Sequence, residues 1–293
     1  MKVTSLNLAR IVSRQLNDVS SDIINLQSQI GTGKRILKPS DDPIGSAKLV
    51  QLSSNMSELE AYKSNMTYGR SIVQTTLTSL DQLLNVLSRL QEIAVQQRGA
   101  NASSQTRRSA AVEVQNAFEE IIQISNSKLG DKYIYGGHDS LNSPYQTDGS
   151  YVGDSGEFRI NIGSNADMKI NLSGDEVFSV GNGGVDLFGA VQELLTALQT
   201  SDALGIGNSI DSITTAFDHV NVKISESGAK LNRLENSSIS TDKLAADLQL
   251  VLSDTLDTDI AKAIIDMSAK QNIMNAALAT ASKILNLSLI NYL

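Results

Sequence analysis

The chain has 293 residues, enough for about two domains of ordinary size and one sizeable core, so a peptide-sized or disulfide-stapled fold is excluded. Cysteine is absent, which rules out thiol catalysis, thiolate metal sites, iron–sulfur clusters and structural disulfides together. With 24 basic and 32 acidic residues the net charge is −8, unsuited to a nucleic-acid binder, and aromatics at 4% with no tryptophan are poor material for stacking platforms or compact enzyme cores.

The opening MKVTSLNLARIVSRQLNDVS interrupts every apolar run with charged or amide side chains, so no cleavable secretory leader is expected. No stretch approaches the ~20 apolar residues of a membrane-spanning helix. From Val12 the apolar residues Val12, Leu16, Val19, Ile23, Leu26 and Ile30 step by 4, 3, 4, 3 and 4, the seam of a coiled coil. Gly31 and Gly33 are expected to stop that helix. Gly31-Thr32-Gly33-Lys34 lacks the upstream glycine of a phosphate loop, because Ser28 stands there.

Asp42 is expected to cap a second helix and Pro43 to open it, since proline's missing N–H costs nothing at the first helical position. Its seam runs through Leu49, Leu52, Met56, Leu59, Met66, Val73, Leu77, Leu80, Leu84 and Leu87, with breaks at Lys63 and Arg70, and implies about fifty helical residues. After a polar turn from Gly99 to Thr106, Val112, Val114, Phe118, Ile121, Ile122 and Ser125 predict a third helix to about Lys128 that doubles back.

Residues 131–185 are different material, with ten of the 20 glycines, four of the seven tyrosines and a charge of −5. Phe158, Ile160 and Ile162 alternate with polar residues, as do Met168, Ile170 and Leu172 after the turn Gly163 to Asp167, which predicts a hairpin. Helical patterning returns at Leu187, pauses at Gly205-Ile206-Gly207 and continues through Ile224. The last seam, Ile260, Ile264, Met267, Gln271, Met274, Leu278, Ala281 and Leu285, alternates steps of 4 and 3 without interruption.

The fold class is therefore mainly α: an elongated coiled-coil or helical-bundle rod formed by the N- and C-terminal segments, with a small antiparallel β insert. The expected organisation is an axial helix in 1–40 paired with 255–293, a helical rod from 41–130 with 186–254, and a β-rich outer module in 131–185. A lone two-helix pair leaves each apolar stripe half wet and is marginal. Sister copies are expected to complete it, through an assembly interface at Val12, Leu16, Val19, Ile23, Leu26, Ile30, Ile260, Ile264, Met267, Met274, Leu278 and Leu285. Met56, Met66, Met267 and Met274 fit ordinary core packing and adaptable contacts between unlike neighbours equally well.

Candidate chemistry is thin. His138 and His219 lie some eighty residues apart and are expected to be structural or solvated. His138-Asp139-Ser140 are consecutive, an arrangement that does not normally make a catalytic triad. Asp254, Asp257 and Asp259 lack the central glycine and terminal glutamate of a calcium loop. Arg107-Arg108 and Lys34-Arg35 are expected to be solvated or to make intersubunit ion pairs. No catalytic residue, cofactor or metal site is expected.

The segment Ile30-Gly31-Thr32-Gly33-Lys34-Arg35-Ile36 followed by Ser40-Asp41-Asp42-Pro43-Ile44-Gly45 resembles the N-terminal signature of bacterial flagellins and flagellar hook-associated proteins. Gly228-Ala229-Lys230-Leu231-Asn232-Arg233-Leu234-Glu235 is similar to a second family segment, with Lys230 where arginine is usual. Asp259-Ile260-Ala261-Lys262-Ala263 and the closing Ser288-Leu289-Ile290-Asn291-Tyr292-Leu293 add to the likeness. Asp131-Lys132-Tyr133-Ile134-Tyr135-Gly136-Gly137-His138, with Pro144-Tyr145, resembles the family's hook–filament junction branch rather than its flagellins. The resemblance implies a structural adaptor that assembles with its own copies between the first hook-associated junction protein and flagellin. It also implies secretion through the flagellar export channel with the help of an export chaperone, and a place in the extracellular flagellum. Gly33, Lys34, Arg35, Ile36, Asp41, Asp42, Pro43, Asn232 and Arg233 are the motif positions. A short flagellin forming the filament itself is the alternative, and a cytosolic coiled-coil signalling protein a further rival.

Overall fold

The stripe from Val12 lies on α1 (Lys2–Thr32) in a computed structural model that describes residues 2–99, 102–179 and 184–290. Gly33 ends the helix with φ of +70°, a conformation a β-carbon disfavours, while its N–H still reaches Gln29 O at 2.8 Å. Pro43 opens α2 (Pro43–Arg98), and Asp42 Oδ1 accepts the Gly45 N–H at 2.8 Å, so both start signals act as expected. Lys63 and Arg70 are exposed and the helix runs through them for 56 residues.

Ser103 caps α3 (Ser104–Ser125), accepting the Thr106 N–H at 3.1 Å. The helix doubles back antiparallel on α2, since Ser79 Oγ donates to Ile124 O and Arg89 meets Glu113. Val114, Phe118 and Ile121 are buried, whereas Val112 is 62% exposed because the buried stripe passes through Ala110 and Ala111 instead. Two antiparallel ladders follow, β1 (Lys128–Leu129) with β2 (Lys132–Tyr133), and β3 (Arg159–Gly163) with β4 (Ala166–Lys169), the latter in register Ile160 to Met168. The expected hairpin is therefore present, with inward Ile162 and Met168 buried.

A short helix α4 (Gly174–Val177) precedes α5 (Leu187–Thr200), α6 (Ala203–Leu256) and α7 (Ile260–Ile290). The expected pause at Gly205 to Gly207 falls earlier, at Ser201-Asp202. Ser201 turns left-handed at φ +56° and Asp202 Oδ1 accepts the Leu204 N–H at 3.0 Å. A capping aspartate outweighs the modest helix cost of the two glycines that follow it. The closing Asn291-Tyr292-Leu293 lies outside the described residues.

Contacts divide the chain into two units, residues 1–58 with 243–293, and residues 59–242, the division falling within α2 and α6. In the second unit Leu80, Leu83, Leu87 and Leu90 of α2 pack with Val114 and Ile121 of α3, Leu194 and Leu198 of α5, and Ile206 and Ile213 of α6. Segment 131–185 is stitched into this same core. Tyr135 and Phe178 are fully buried with ring centroids 5.1 Å apart, and the Tyr135 hydroxyl donates to Ser79 Oγ at 3.0 Å. A smaller core under β3 and β4 joins Ile162, Met168 and Ile170 to Met66, Val73 and Leu234. Gly69 makes room for it: a β-carbon there would stand 2.6 Å from Ile160 Cδ1.

Candidate assembly interface

In the first unit α1 packs along α7, and the Lys270 to Asp22 ion pair at 2.7 Å with the Lys34 to Asp257 bridge sets the pair antiparallel. Val12, Leu16, Val19, Ile23, Leu26 and Ile30 are each half-buried. On α7 the covered stripe is Ala263, Met267, Lys270, Met274, Ala277 and Ala281, again stepping by 4 and 3. It is rotated from the expected seam: Met267, Met274 and Ala281 are shared, but Ile260, Ile264 and Leu278 remain 49%, 45% and 49% exposed. Small alanines opposite the large residues of α1 let the two surfaces interdigitate, which the larger isoleucines would hinder. A second aliphatic stripe is thereby left facing outward, with Gln271 at its middle, and Ile11 and Ile24 are half-exposed on α1. The side chain of Leu285 lies outside what is described.

The motif turn builds a joint within this unit. Arg35 N–H donates to Leu256 O at 2.7 Å and Thr258 N–H to Gly33 O at 2.9 Å, pairing Lys34 with Asp257 as a single antiparallel bridge. The Arg35 guanidinium reaches Thr255 O at 3.0 Å and Asp42 Oδ2 at 3.2 Å. Arg35 thus pairs inside its own chain, while Lys34 keeps an exposed side chain. Ile36 is buried, Asp41 Oδ2 accepts the N–H groups of Leu37 and Lys38, and Asp257 accepts from Ser253 Oγ. The Gly45 N–H, with Arg35 beside it, holds the Asp42 carboxyl below the usual carboxylate range. Pro43 is exposed at the first helical position.

Asn232 and Arg233 lie on α6 in the second unit, both exposed, next to a buried Leu234. Lys230 is half-buried there, and desolvation, with Lys169 nearby, pushes its ammonium pKa down. His219 Nε2 lies 2.8 Å from Glu176 O; His138 is exposed near Asp154. Among the described residues no group of three His, Cys, Asp or Glu side chains converges as a metal site requires, and no helix is long and apolar enough to cross a membrane. Arg107 is not solvated. It is 9% exposed, and its guanidinium donates to the carbonyls of Gln97, Gly99 and Ser201. Its only sequence signal is its place after a turn, facing two helix ends.

The likeness read from the motifs is borne out by comparison with known proteins. Residues 3–132 match the family described as the bacterial flagellin N-terminal helical region. Flagellar hook-associated protein 3 of Escherichia coli K12 is 24% identical over 300 residues, covering 94% of each chain. Flagellin FlaB1 of Treponema pallidum is 24% identical over 272 residues, covering 92% of this chain and 91% of its own. Among solved structures, flagellar hook associated protein-3 from Legionella pneumophila shares the fold with a TM-score of 0.62 at 16% identity, over 70% of this chain and 98% of its own.

Proposed function

We propose that the chain is a structural component of the bacterial flagellum, an adaptor at the hook–filament junction with no reaction of its own. The near full-length match to hook-associated protein 3 supports that place. The observation that carries the mechanism is the terminal pair: α1 and α7 meet through half-buried stripes, yet Ile260, Ile264 and Leu278 stay open for a further helix. In this reading copies of the chain pack their terminal helices side by side, meeting the first hook-associated junction protein on one side and flagellin on the other. The chain reaches that position through the flagellar export apparatus with a dedicated chaperone, and it works outside the cell.

A strain lacking the protein is expected to keep its hooks and lose its filaments when viewed by electron microscopy. Intact filaments in that strain overturn the reading. The likeness to flagellin FlaB1 favours a second reading, a short flagellin. Seeding on filament fragments separates the two, because a flagellin elongates the seed whereas a junction protein caps it in limited number.

A further inference from the structure

Lys63 and Arg70 both break the apolar seam of α2, and only the first is answered within the chain. Lys63 crosses to α6 and pairs with Asp242 at 2.7 Å. Arg70 is exposed and, among the described residues, makes no hydrogen bond or ion pair. Glu235 on α6 is exposed and equally without a partner there. The two stand on the α2 and α6 walls of one groove of about 210 Å³ in the second unit. Met66 and Leu234, 2% and 1% exposed, close its floor, and Ile239, 50% exposed, lies at its rim. None of the lining residues belongs to the β3–β4 hairpin, which covers α2 at Gly69 instead.

An apolar floor between two helices, with one basic and one acidic wall, has the form that receives a third helix. The apolar stripe of that helix lies on Met66 and Leu234, and its two flanks meet the walls as the charged flanks of a coiled coil meet. A methionine in the floor adapts to the side chain that lands on it.

We propose that this groove takes a helix of the neighbouring flagellin, one whose apolar stripe has a carboxylate on the flank facing Arg70 and a cation on the flank facing Glu235. The inference rests on the junction reading and names the surface through which the filament is met. In that reading the stripes of α1 and α7 serve sister copies, which leaves the groove to an unlike chain. Flagellin has helices of the matching kind: the flagellin N-terminal helical region is the family that residues 3–132 match, and those residues hold α1 and α2 with their apolar seams. The floor supplies the attraction. The two charges choose the direction of the helix, because the reversed placement sets like charge against like at both walls.

Co-sedimentation of the full-length chain with short flagellin filament fragments tests this. The wild type is expected to bind the fragments saturably. Arg70→Glu and Glu235→Arg are each expected to weaken binding roughly tenfold, since each opposes like charges at one wall. The double variant keeps the net charge of the chain and exchanges the walls. It is expected to stay at least as weak as either single change, because the direction of the flagellin helices is fixed in the fragment. Both side chains are exposed, and helical circular dichroism checks the fold of each variant. If the wild type binds and neither single reversal weakens it, or if the double variant recovers binding, the groove proposal falls and the junction reading stands. If the wild type does not bind the fragments, both fall. Reversals that abolish self-association in sedimentation while leaving fragment binding unchanged give the groove to a second copy and overturn the proposal as well.

Discussion

Arg107 shows how much of this protein's order rests on single side chains. The last carbonyls of a helix lack intrahelical partners and gather at the negative end of its dipole, and one guanidinium here answers such groups on both α2 and α5. Replacing it with methionine keeps the length but orphans buried acceptors, so Arg107→Met is expected to lower stability by about 3 kcal/mol in urea unfolding. Arg107→Lys is expected to recover only part, since an ammonium cannot fork between three carbonyls. The tyrosines give a second check. Burial raises the pKa of Tyr135, Tyr145 and Tyr151 well above the ordinary value of 10.0. Their neutral forms favour the fold fully below pH ~10, and that stability is lost as pH rises toward the folded-state values. In an absorbance titration the ionisation of these three tyrosines is expected to coincide with loss of structure.

At the scale of elements, each boundary has a local cause, and glycine is needed at two places, one at a boundary and one inside a helix. Gly33 holds a left-handed conformation between α1 and the bridge to Leu256 and Thr258, so Gly33→Ala is expected to cost about 1–2 kcal/mol and to speed amide exchange at Arg35 and Thr258. Gly69 sits in the middle of α2, where glycine is poor for a helix, yet the hairpin needs the space. A bulkier Gly69→Val is expected to displace Ile160 at a cost of about 1–3 kcal/mol, read as faster amide exchange across β3 and β4 while α3 and α5 stay protected. The break at Ser201-Asp202 makes the complementary point: a side-chain cap decided where α6 begins, and the glycines behind it were absorbed.

Across the whole molecule the two units differ in how dry they are. The second unit buries Leu80, Leu83, Leu87 and Leu90 completely, whereas every residue of the α1 stripe from Val12 to Ile30 keeps part of its surface open. Leu87→Ala is therefore expected to cost about 2–5 kcal/mol in the isolated chain. Leu278→Asp is expected to leave that stability within about 0.5 kcal/mol and instead to block incorporation into the flagellum. Hydrogen exchange on the isolated chain is expected to run faster over residues 12–30 than over 80–94, because half-covered helices open more readily than buried ones. Equal protection of the two stretches is the result that removes the physical case for assembly.

The 4 and 3 spacing from Val12, the Asp42-Pro43 start, the Gly33 stop and the alternation of Ile160 and Ile162 are local signals, set by helix and strand periodicity and by which backbone groups lack partners at an end. The sequence alone therefore determined the order of the long helices and the β3–β4 hairpin, and the motif positions that gather in the joint, but not the short β1–β2 ladder or α4. It did not decide which side of α7 meets α1, because Ile264 and Ala263 are adjacent on the helix and only the facing surface selects the smaller one. Nor did it place Arg107 among carbonyls from Gln97 to Ser201, or draw Tyr135 and Phe178 into the core of α2, since those partners are distant in sequence. Tertiary structure settled these points because close packing and the pairing of buried polar groups depend on neighbours that no local pattern encodes.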